Sequence, residues 1–403
     1  MKRPQPAESL DREPQADDTA GASARSVAHS VVAYLRRSAR PVTQALRAHP
    51  LMALAGLGVA SLVALLVQGG MSERLRTTWH LVNALDRAVS ATMPGAGLFR
   101  ALVSWVPRHL PSFLPAAASS ASASLMAMWG YFGAVALLFA LYAFALWWLA
   151  RHPLHSALRR GLFLIGGFGV VFSTVALFTP AAPSHDAFAY AMSGRLMTVY
   201  HANPFFATPA MYPHDPILAT NEWPHSATAY GPLWSVLSVL LAPFVGDNPL
   251  HADFVYRLVA YAAQIANILL VAALVRRLAP RDENWQALGL LMYTWNPLVI
   301  IEVAAGHNDV LMLTCLLAGL YLLLQKRVAL AMIVLGAAIL LKANAVPLVL
   351  LVLLALWLQT APRRAGSATG GQTSWLRRLR PGGVVAGVVV VGYLPFFWGH
   401  SPR

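Results

Sequence analysis

The chain has 403 residues, of which 57% are hydrophobic and only 11% are charged. A soluble domain carries about 25% charged residues, so this composition excludes an ordinary soluble protein and predicts an all-α, polytopic membrane protein. The net charge of +14 does not call for nucleic acid as a partner, because the arginines cluster at the ends of apolar segments, where they orient spans and meet anionic lipids.

The N-terminal region is polar and lacks a secretory signal. Residues 1–25 predict a disordered cytoplasmic tail. In residues 26–49, valines and leucines alternate with arginines in an amphipathic pattern. This pattern predicts a helix on the inner leaflet, interrupted near Pro41, and a solvated lead-in to the first span is an equal alternative. Residues 1–49 are therefore interpreted as a cytoplasmic tail with an amphipathic helix.

Apolar windows predict about nine membrane spans, at 51–70, 125–150, 161–183, 254–275, 284–304, 310–325, 328–345, 346–361 and 382–399. Basic clusters lie in the turns within 151–160, 276–281, 326–327 and 363–380, and placing all four turns in the cytoplasm satisfies the positive-inside rule. If the segment 230–246 crossed the membrane fully, every later basic turn would lie on the outer face and not in the cytoplasm. With Pro232 and Pro243 near its ends, this segment predicts a re-entrant or interfacial helix.

This topology places residues 184–253 in a large loop on the outer face of the inner (plasma) membrane, together with the loop 71–124. The larger loop contains five acids and, before residue 253, one arginine, which agrees with an outer location. No internal repeat supports a symmetric transporter. We divide the rest of the chain into two N-terminal spans with their outer loop, 50–160, and a transmembrane module, 161–403.

Polar residues gather at the outer level of this module. Asp186 follows a charge-free span, and a carboxylate at this position is costly unless it is functional; an acid that marks a helix end is the alternative. The turn Gly306-His307-Asn308-Asp309 faces the same side. Lys342 lies near the outer end of another apolar helix, where it needs an anionic partner or extends to the interface.

This set of side chains suits the transfer of a sugar carried on a lipid phosphate. The phosphate is an acceptable leaving group without a general acid, so a single base that takes the proton of the acceptor hydroxyl is sufficient. Cationic side chains stabilise the charge that grows on the departing phosphate. Glycoside hydrolysis, in contrast, requires a pair of carboxylates.

The chain resembles the bacterial polyprenyl-phosphate-mannose-dependent alpha-1,6-mannosyltransferases, which belong to the GT-C superfamily of integral membrane glycosyltransferases. The resemblance extends over about residues 160–350 and rests on motifs in the family's order: Asp186 with Tyr190, Gly194-Arg195, Asn203-Pro204-Phe205, Tyr230-Gly231-Pro232-Leu233-Trp234, Trp295-Asn296-Pro297-Leu298, Gly306-His307-Asn308-Asp309-Val310-Leu311-Met312 and the Lys342 helix.

The resemblance implies a GT-C-like catalytic module over residues 161–403. It also implies an inverting transfer of mannose, or another hexose, from polyprenyl phosphate to an outer-face glycan or glycolipid, with Asp186 as the general base. The chain departs from the family in two places. It stops at Arg403 just after a span, which predicts a form truncated at its C-terminus. In addition, Ala343-Asn344-Ala345 stands where the family tends to have a proline-bearing stretch.

Seven further residues are candidates for substrate binding: Tyr190, Arg195, Tyr230, His307, Asn308, Asp309 and Lys342. Tyr190 shares a helix face with Asp186 and either lines the acceptor site or packs. Arg195 reaches the same substrate, as a phosphate ligand, only if the helix bends at Gly194. His307 donates to phosphate or to a sugar hydroxyl, or it caps the adjacent helix ends.

Five histidines of the outer loop match no ligand spacing, so we predict no cofactor and no metal, with a divalent ion left open. The expected partners are the polyprenyl-phosphate hexose, a glycan or glycolipid acceptor and membrane lipids. Three alternatives remain: another lipid-linked glycan ligase or polymerase, a lipid-linked sugar transporter, and a non-catalytic assembly subunit. The first alternative differs in its donor, which would be an oligosaccharide on a diphosphate.

Overall fold

The computed structural model describes residues 49–78, 120–179, 184–359 and 371–398. Within these ranges the chain forms α-helices, short 3₁₀ helices and turns, and no β-strand, which confirms the all-α prediction. The predicted cytoplasmic tail with its amphipathic helix, and most of the loop 71–124, lie outside the described residues. The described residues from Leu54 onward belong to one compact unit.

Twelve α-helices occur in the described ranges. They are α1 (Pro50–Thr78), α2 (Ser120–Arg151), α3 (Leu158–Phe178), α4 (Asp186–Thr198), α5 (Pro232–Val245), α6 (Pro249–Leu278), α7 (Glu283–Thr294), α8 (Pro297–Ala304), α9 (Asp309–Leu324), α10 (Val328–Leu341), α11 (Val346–Gln359) and α12 (Gly371–Phe397).

All nine predicted windows coincide with helices, but their lengths differ. Six helical segments are long and apolar enough to cross a membrane: Pro50–Ser72, Leu125–Arg151, Leu158–Phe178, His251–Leu278, Glu283–Ala304 and Arg378–Phe397. The other three windows form α9, α10 and α11, which have 16, 14 and 14 residues. The structure therefore has six helical segments of spanning length among the described residues, with shorter apolar helices beside them.

The window 284–304 is divided into α7 and α8 by the sequence Trp295-Asn296-Pro297. Pro297 is the first residue of α8, a position where its missing N–H costs nothing. The side chain of Asn296 accepts a hydrogen bond of 3.0 Å from the backbone N–H of Leu298, so it caps the new helix. A cap and a proline in succession thus explain why one apolar window contains two helices.

The window 328–345 ends early, at Leu341. The backbone of Lys342 is extended, with φ −156° and ψ 130°, and a short 3₁₀ helix follows. Two features favour this break: Leu341 O accepts a hydrogen bond of 3.1 Å from Gly231 N, and Pro347 has no N–H to donate to Ala343. Lys342, which was expected near the outer end of an apolar helix that continues to residue 345, is instead the residue directly after the end of α10.

Helix α6 is central in the packing of the compact unit. It contacts α3, α4, α5, α7, α8 and α9, whereas α10 packs between α9 and α12. One buried core joins α4 to α5 and α6 through Tyr190, Trp234 and Tyr256. This core contains Tyr190, and Tyr230 packs against it, so it includes part of the site that the sequence predicts.

Helix α4 continues through Gly194 without a break, and the Arg195 guanidinium bonds to Asp215, Gly246 and Asp247. A Cβ atom at Gly194 would lie 2.6 Å from the backbone oxygen of Ser238. Glycine is therefore required here because α4 and α5 pack backbone to backbone.

Helix α5 has 14 residues, which gives a length of about 21 Å at 1.5 Å per residue. This length is too short to cross a bilayer, as the prediction of a re-entrant or interfacial helix requires.

The loop between α4 and α5, which is predicted to lie on the outer face, is fixed to the end of α12 by the Asn-Pro-Phe motif. The side-chain amide of Asn203 donates to Phe396 O at 2.6 Å, and the ring of Phe205 packs edge-on against that of Phe396 at 5.1 Å. In the same loop, Thr228 N donates to Pro204 O at 2.9 Å. These contacts hold the two arms of the loop together beside the site.

At the opposite ends of the helices, two arginines lie against aromatic rings of neighbouring helices. The guanidinium of Arg277, at the end of α6, lies 4.9 Å from the ring centroid of Tyr321 in α9. Arg378 lies 5.6 Å from the ring centroid of Trp357 in α11. The site residues and these arginines thus lie at opposite ends of the helices, which agrees with the topology predicted from the basic turns. The orientation in the membrane stays a prediction.

Candidate active site

Asp186 is the point on which the site residues converge. Its Oδ2 atom accepts hydrogen bonds from the phenol of Tyr230 at 3.0 Å and from that of Tyr190 at 3.3 Å. The Nε2 atom of His307 lies 3.7 Å from the same oxygen. Among the described residues no hydrogen bond reaches Oδ1, and the side chain is 19% exposed. Two phenols thus hold one carboxylate oxygen, while the other accepts no hydrogen bond from the described residues.

Asp186 is the first residue of α4. Ser184 Oγ accepts a hydrogen bond of 3.2 Å from Asp186 N, which fixes the turn into the helix. A carboxylate in the first turn is stabilised by the helix dipole. Since α4 continues without a break, Tyr190 stands one turn further on the same face, as the sequence predicts.

Tyr190 is fully buried at the centre of an aromatic cluster. Its ring packs edge-on against Tyr230, Trp234 and Tyr256, with centroid distances of 4.7, 4.8 and 5.2 Å. Asn308 N donates to the phenol oxygen at 3.3 Å. Burial, with the neighbouring Tyr230 and Asp186, raises the pKa of Tyr190 well above its usual value, so the phenol remains protonated and can donate to Asp186.

His307 lies in the turn between α8 and α9. Gly306 has φ +67°, a conformation that glycine adopts without strain, and this turn presents the imidazole to Asp186. The Nδ1 atom lies 2.6 Å from Glu302 Oε2. Burial acts to lower the pKa of His307, but the hydrogen bond and charge of Glu302 and the charges of Asp186 and Asp309 outweigh it and raise the pKa above 6.5. The carboxylates therefore stabilise the imidazolium form relative to that of an ordinary histidine.

Lys342 has the anionic partner that its position required. Its Nζ atom lies 2.6 Å from Asp309 Oδ2 and 6.0 Å from the ring centroid of Tyr230. Tyr230 is held nearby because the next residue, Gly231, donates its N–H to Leu341 O at 3.1 Å. The break at the end of α10 thus places the lysine beside the tyrosine that contacts Asp186.

Arg195 is the one candidate that the structure places elsewhere. Its guanidinium donates to Asp215 Oδ2 at 2.8 Å, to Gly246 O at 2.7 Å and to Asp247 Oδ1 at 2.7 Å. Among the described residues no contact links Arg195 to Asp186. These bonds join α4 to the loop between α4 and α5 and to the end of α5, so the geometry indicates that Arg195 anchors this loop.

Three side chains of the site could supply metal ligands. Atoms of Glu302, His307 and Asp309 all lie within 4.8 Å of one another. However, Lys342 already neutralises Asp309, and Nδ1 of His307 faces Glu302. A divalent cation would have to displace these ion pairs. The expectation of a metal-independent site stays a prediction.

Two residues of this region are not among the site candidates that the sequence predicts. Glu302, five residues before His307, contacts its imidazole directly. Arg257 is fully buried in α6, bonds Asp253 at 2.9 Å and donates to Thr179 O. The Arg257 backbone also lies against the Gly306 turn. An arginine inside the apolar window 254–275 was the signal, because such a charge is expensive unless it is paired.

Comparison with known proteins gives a consistent result. Residues 88–359 match the family model described as "Alpha-(1->6)-mannopyranosyltransferase, N-terminal domain". The chain is 27% identical over 171 residues to alpha-(1->6)-mannopyranosyltransferase A of Corynebacterium glutamicum, covering 42% of this chain and 34% of the relative. It is 26% identical over 185 residues to the Mycobacterium tuberculosis protein of the same name, covering 45% and 35%. The alignments thus span about a third of each relative. No solved structure matches the chain significantly.

Proposed function

Since a match to the family model extends over residues 88–359, the chain belongs to the alpha-(1->6)-mannopyranosyltransferase family, and we propose that it transfers a mannosyl group from polyprenyl phosphate to an outer-face glycan or glycolipid, with inversion. One observation carries this proposal: Tyr190, Tyr230 and His307 all meet Oδ2 of Asp186. The arrangement provides one oriented carboxylate beside two cationic groups, as a transfer from a lipid phosphate requires.

Asp186 is the general base of the proposed reaction. The two phenols bind Oδ2 and so orient the carboxylate, and Oδ1, without a hydrogen bond from the described residues, takes the proton of the acceptor hydroxyl. A base held within hydrogen-bond reach of the proton contributes about 10²–10⁴-fold to such a transfer. The acceptor oxygen then forms a bond to the anomeric carbon of the donor sugar.

Lys342 and His307 stabilise the leaving group. As the acceptor oxygen bonds to the anomeric carbon, the bond from that carbon to the phosphate oxygen breaks, and its electron pair remains on the polyprenyl phosphate. The ammonium of Lys342 lies 2.6 Å from Asp309, and the imidazole of His307 lies 2.6 Å from Glu302 and 3.7 Å from Asp186. Positive charge at this position is worth more in the transition state than in the ground state.

The alternatives differ in what they require of the molecule. A transporter needs polar groups along a path between both faces, whereas the contacts around Asp186, His307 and Lys342 gather at one end of the helices. An oligosaccharide ligase or polymerase uses a diphosphate-linked donor. A non-catalytic subunit would not depend on the carboxylate.

The test is a transfer assay with donors of different classes. Membranes containing the protein receive radiolabelled polyprenyl-phosphate mannose, polyprenyl-phosphate glucose or a diphosphate-linked oligosaccharide, with a mixed glycan acceptor. We expect label to move from the mannose monophosphate, and membranes without the protein are the control. Transfer from the diphosphate donor in preference to the monophosphates would refute the proposed donor class.

A further inference from the structure

A cavity of about 230 Å³ lies between α4 and the outer loop. Its walls are formed by one face of α4 and by the loop segment that precedes α5. The lining residues include Ala189, Ser193, Asn221, Trp223, Thr228 and Tyr230. None of the roles assigned above uses this cavity. Drug-sized ligands occupy sites of about 300–1,000 Å³, so this smaller volume suits a single sugar ring.

The cavity is continuous with the proposed base through two elements. Asp186, Ala189 and Ser193 are spaced i, i+3 and i+7 on α4, so they lie on one helix face, and the last two line the cavity. Tyr230 lines the cavity as well, and its phenol donates to Asp186 at 3.0 Å. A group bound in the cavity therefore lies next to the carboxylate.

The lining chemistry excludes the phosphate and favours a neutral sugar. The described residues that line the cavity include no lysine, arginine or histidine, whereas Lys342, Asp309 and His307 belong to the other cluster around Asp186. The cavity instead offers the large aromatic side chain of Trp223, which is 43% exposed, with the hydroxyl of Ser226 and the amide of Asn221. Aromatic rings accept the apolar face of a sugar, and a few polar groups fix its orientation.

The loop around Trp223 is fixed by its own hydrogen bonds. Asn221 Oδ1 accepts from Trp223 N at 2.9 Å, and Thr228 Oγ1 accepts from Tyr230 N at 3.3 Å. In addition, Glu222 lies 2.6 Å from Nδ1 of His185, the residue before Asp186. The wall of the cavity is therefore tied to the start of α4, which is an arrangement that keeps a bound sugar in register with the base.

We propose that this cavity binds the terminal hexose of the acceptor glycan, with Trp223 as the stacking surface. This assignment rests on the proposed function and adds to it: Tyr230 separates a neutral acceptor subsite from the cationic donor-phosphate subsite at Lys342. An acceptor sugar seated against Trp223 presents a hydroxyl to Oδ1 of Asp186, while the donor approaches from the side of Lys342.

The test measures binding of an α-1,6-linked mannotriose to the purified full chain in detergent, without donor, by isothermal titration. Trp223→Ala should raise the Kd about tenfold, which corresponds to about 1.4 kcal/mol, because the variant lacks the aromatic surface that a bound sugar would cover. Ala227→Trp, which adds bulk at an exposed wall residue, should weaken binding too. The matched control is Trp285→Ala, because Trp285 is 61% exposed at the start of α7, remote from the cavity.

Transfer kinetics on the same variants separate this inference from the proposed function. We expect Trp223→Ala to raise the KM for the acceptor and to leave the KM for the polyprenyl-phosphate donor unchanged. Transfer by the wild type with an unchanged acceptor KM in both cavity variants would overturn the subsite and retain the function. Trp223-dependent mannotriose binding without any mannosyl transfer would retain the sugar site and overturn the function. Absence of mannotriose binding by the wild type would also overturn the subsite.

Discussion

The phenol of Tyr230 donates a hydrogen bond of 3.0 Å to Oδ2 of Asp186, although the two residues are 44 positions apart in the chain. Tyr230 directly precedes the glycine that bonds to the end of α10, and Asp186 begins α4. The bond therefore connects the two helices whose termini carry the proposed base and, at Lys342, the proposed phosphate ligand. We expect the reaction to be sensitive to this contact.

Replacement of Tyr230 by phenylalanine removes the phenol and retains the ring. Hydrogen bonds to charged groups contribute about 1.5–3 kcal/mol, so Tyr230→Phe should lower kcat by roughly 10- to 100-fold. Tyr190→Phe should have a smaller effect, because its bonds are longer, at 3.3 and 3.4 Å. Initial rates at saturating donor and acceptor measure both effects. Equal rates for Tyr230→Phe and the wild type would show that this bond does not orient the base.

The raised pKa of His307 predicts the pH dependence of transfer. Glu302 and the nearby carboxylates hold the pKa of His307 above 6.5 despite its burial, so the imidazolium is present below that raised value and is lost as the pH rises through it. Transfer should therefore decline on the alkaline side. His307→Gln, which is neutral throughout, should have a lower rate and no such decline. An unchanged alkaline limb in this variant would assign the titration to another group.

Gly231 is required because α10 lies directly against it. A Cβ atom at Gly231 would lie 2.0 Å from the backbone oxygen of Leu340, so Gly231→Ala must displace either Tyr230 or the end of α10. We expect a less stable protein with little transfer. The control is Gly133→Ala in α2, where nothing lies within 4 Å of the added atom. Thermal unfolding in detergent and transfer rates measure both variants, and a stable, active Gly231→Ala would contradict the packing described.

The two acids that bind Arg195 should differ in their effect on stability. The side chain of Asp215 is fully buried, whereas that of Asp247 is 81% exposed. Removal of one partner of a buried ion pair costs about 3–5 kcal/mol, and an exposed pair contributes about 1 kcal/mol or less. Asp215→Asn should thus lower the midpoint of thermal unfolding much more than Asp247→Asn. A reversed order would show that the loop is held in another way.

Much of the convergence around Asp186 could be predicted from the sequence. Asp186, His307 and Lys342 each follow or precede an apolar segment, and helices that share a membrane bring such ends to the same level. The order of basic turns then decides which ends lie together. This part of the prediction needs only the positions of hydrophobic runs and charges, which can be counted along the chain.

The partners of Arg195 and the break at Lys342 could not be predicted in this way. Asp215 and Asp247 lie in irregular segments, which have no periodicity to fix their direction. The early end of α10 depends on a hydrogen bond from Gly231, more than a hundred positions away in the sequence. The cavity at Trp223 likewise depends on the path of the loop, which tertiary contacts determine.

The most direct test of the account compares Asp186→Asn with the wild type in a transfer assay with polyprenyl-phosphate mannose, at equal levels of folded protein. Asp282→Asn is the matched control, because Asp282 is an exposed helix cap and asparagine caps equally well. We predict that Asp186→Asn lowers the rate by about 10²–10⁴-fold, with donor binding retained, and that Asp282→Asn transfers at the wild-type rate. Wild-type transfer by Asp186→Asn would contradict the assignment of this carboxylate as the base.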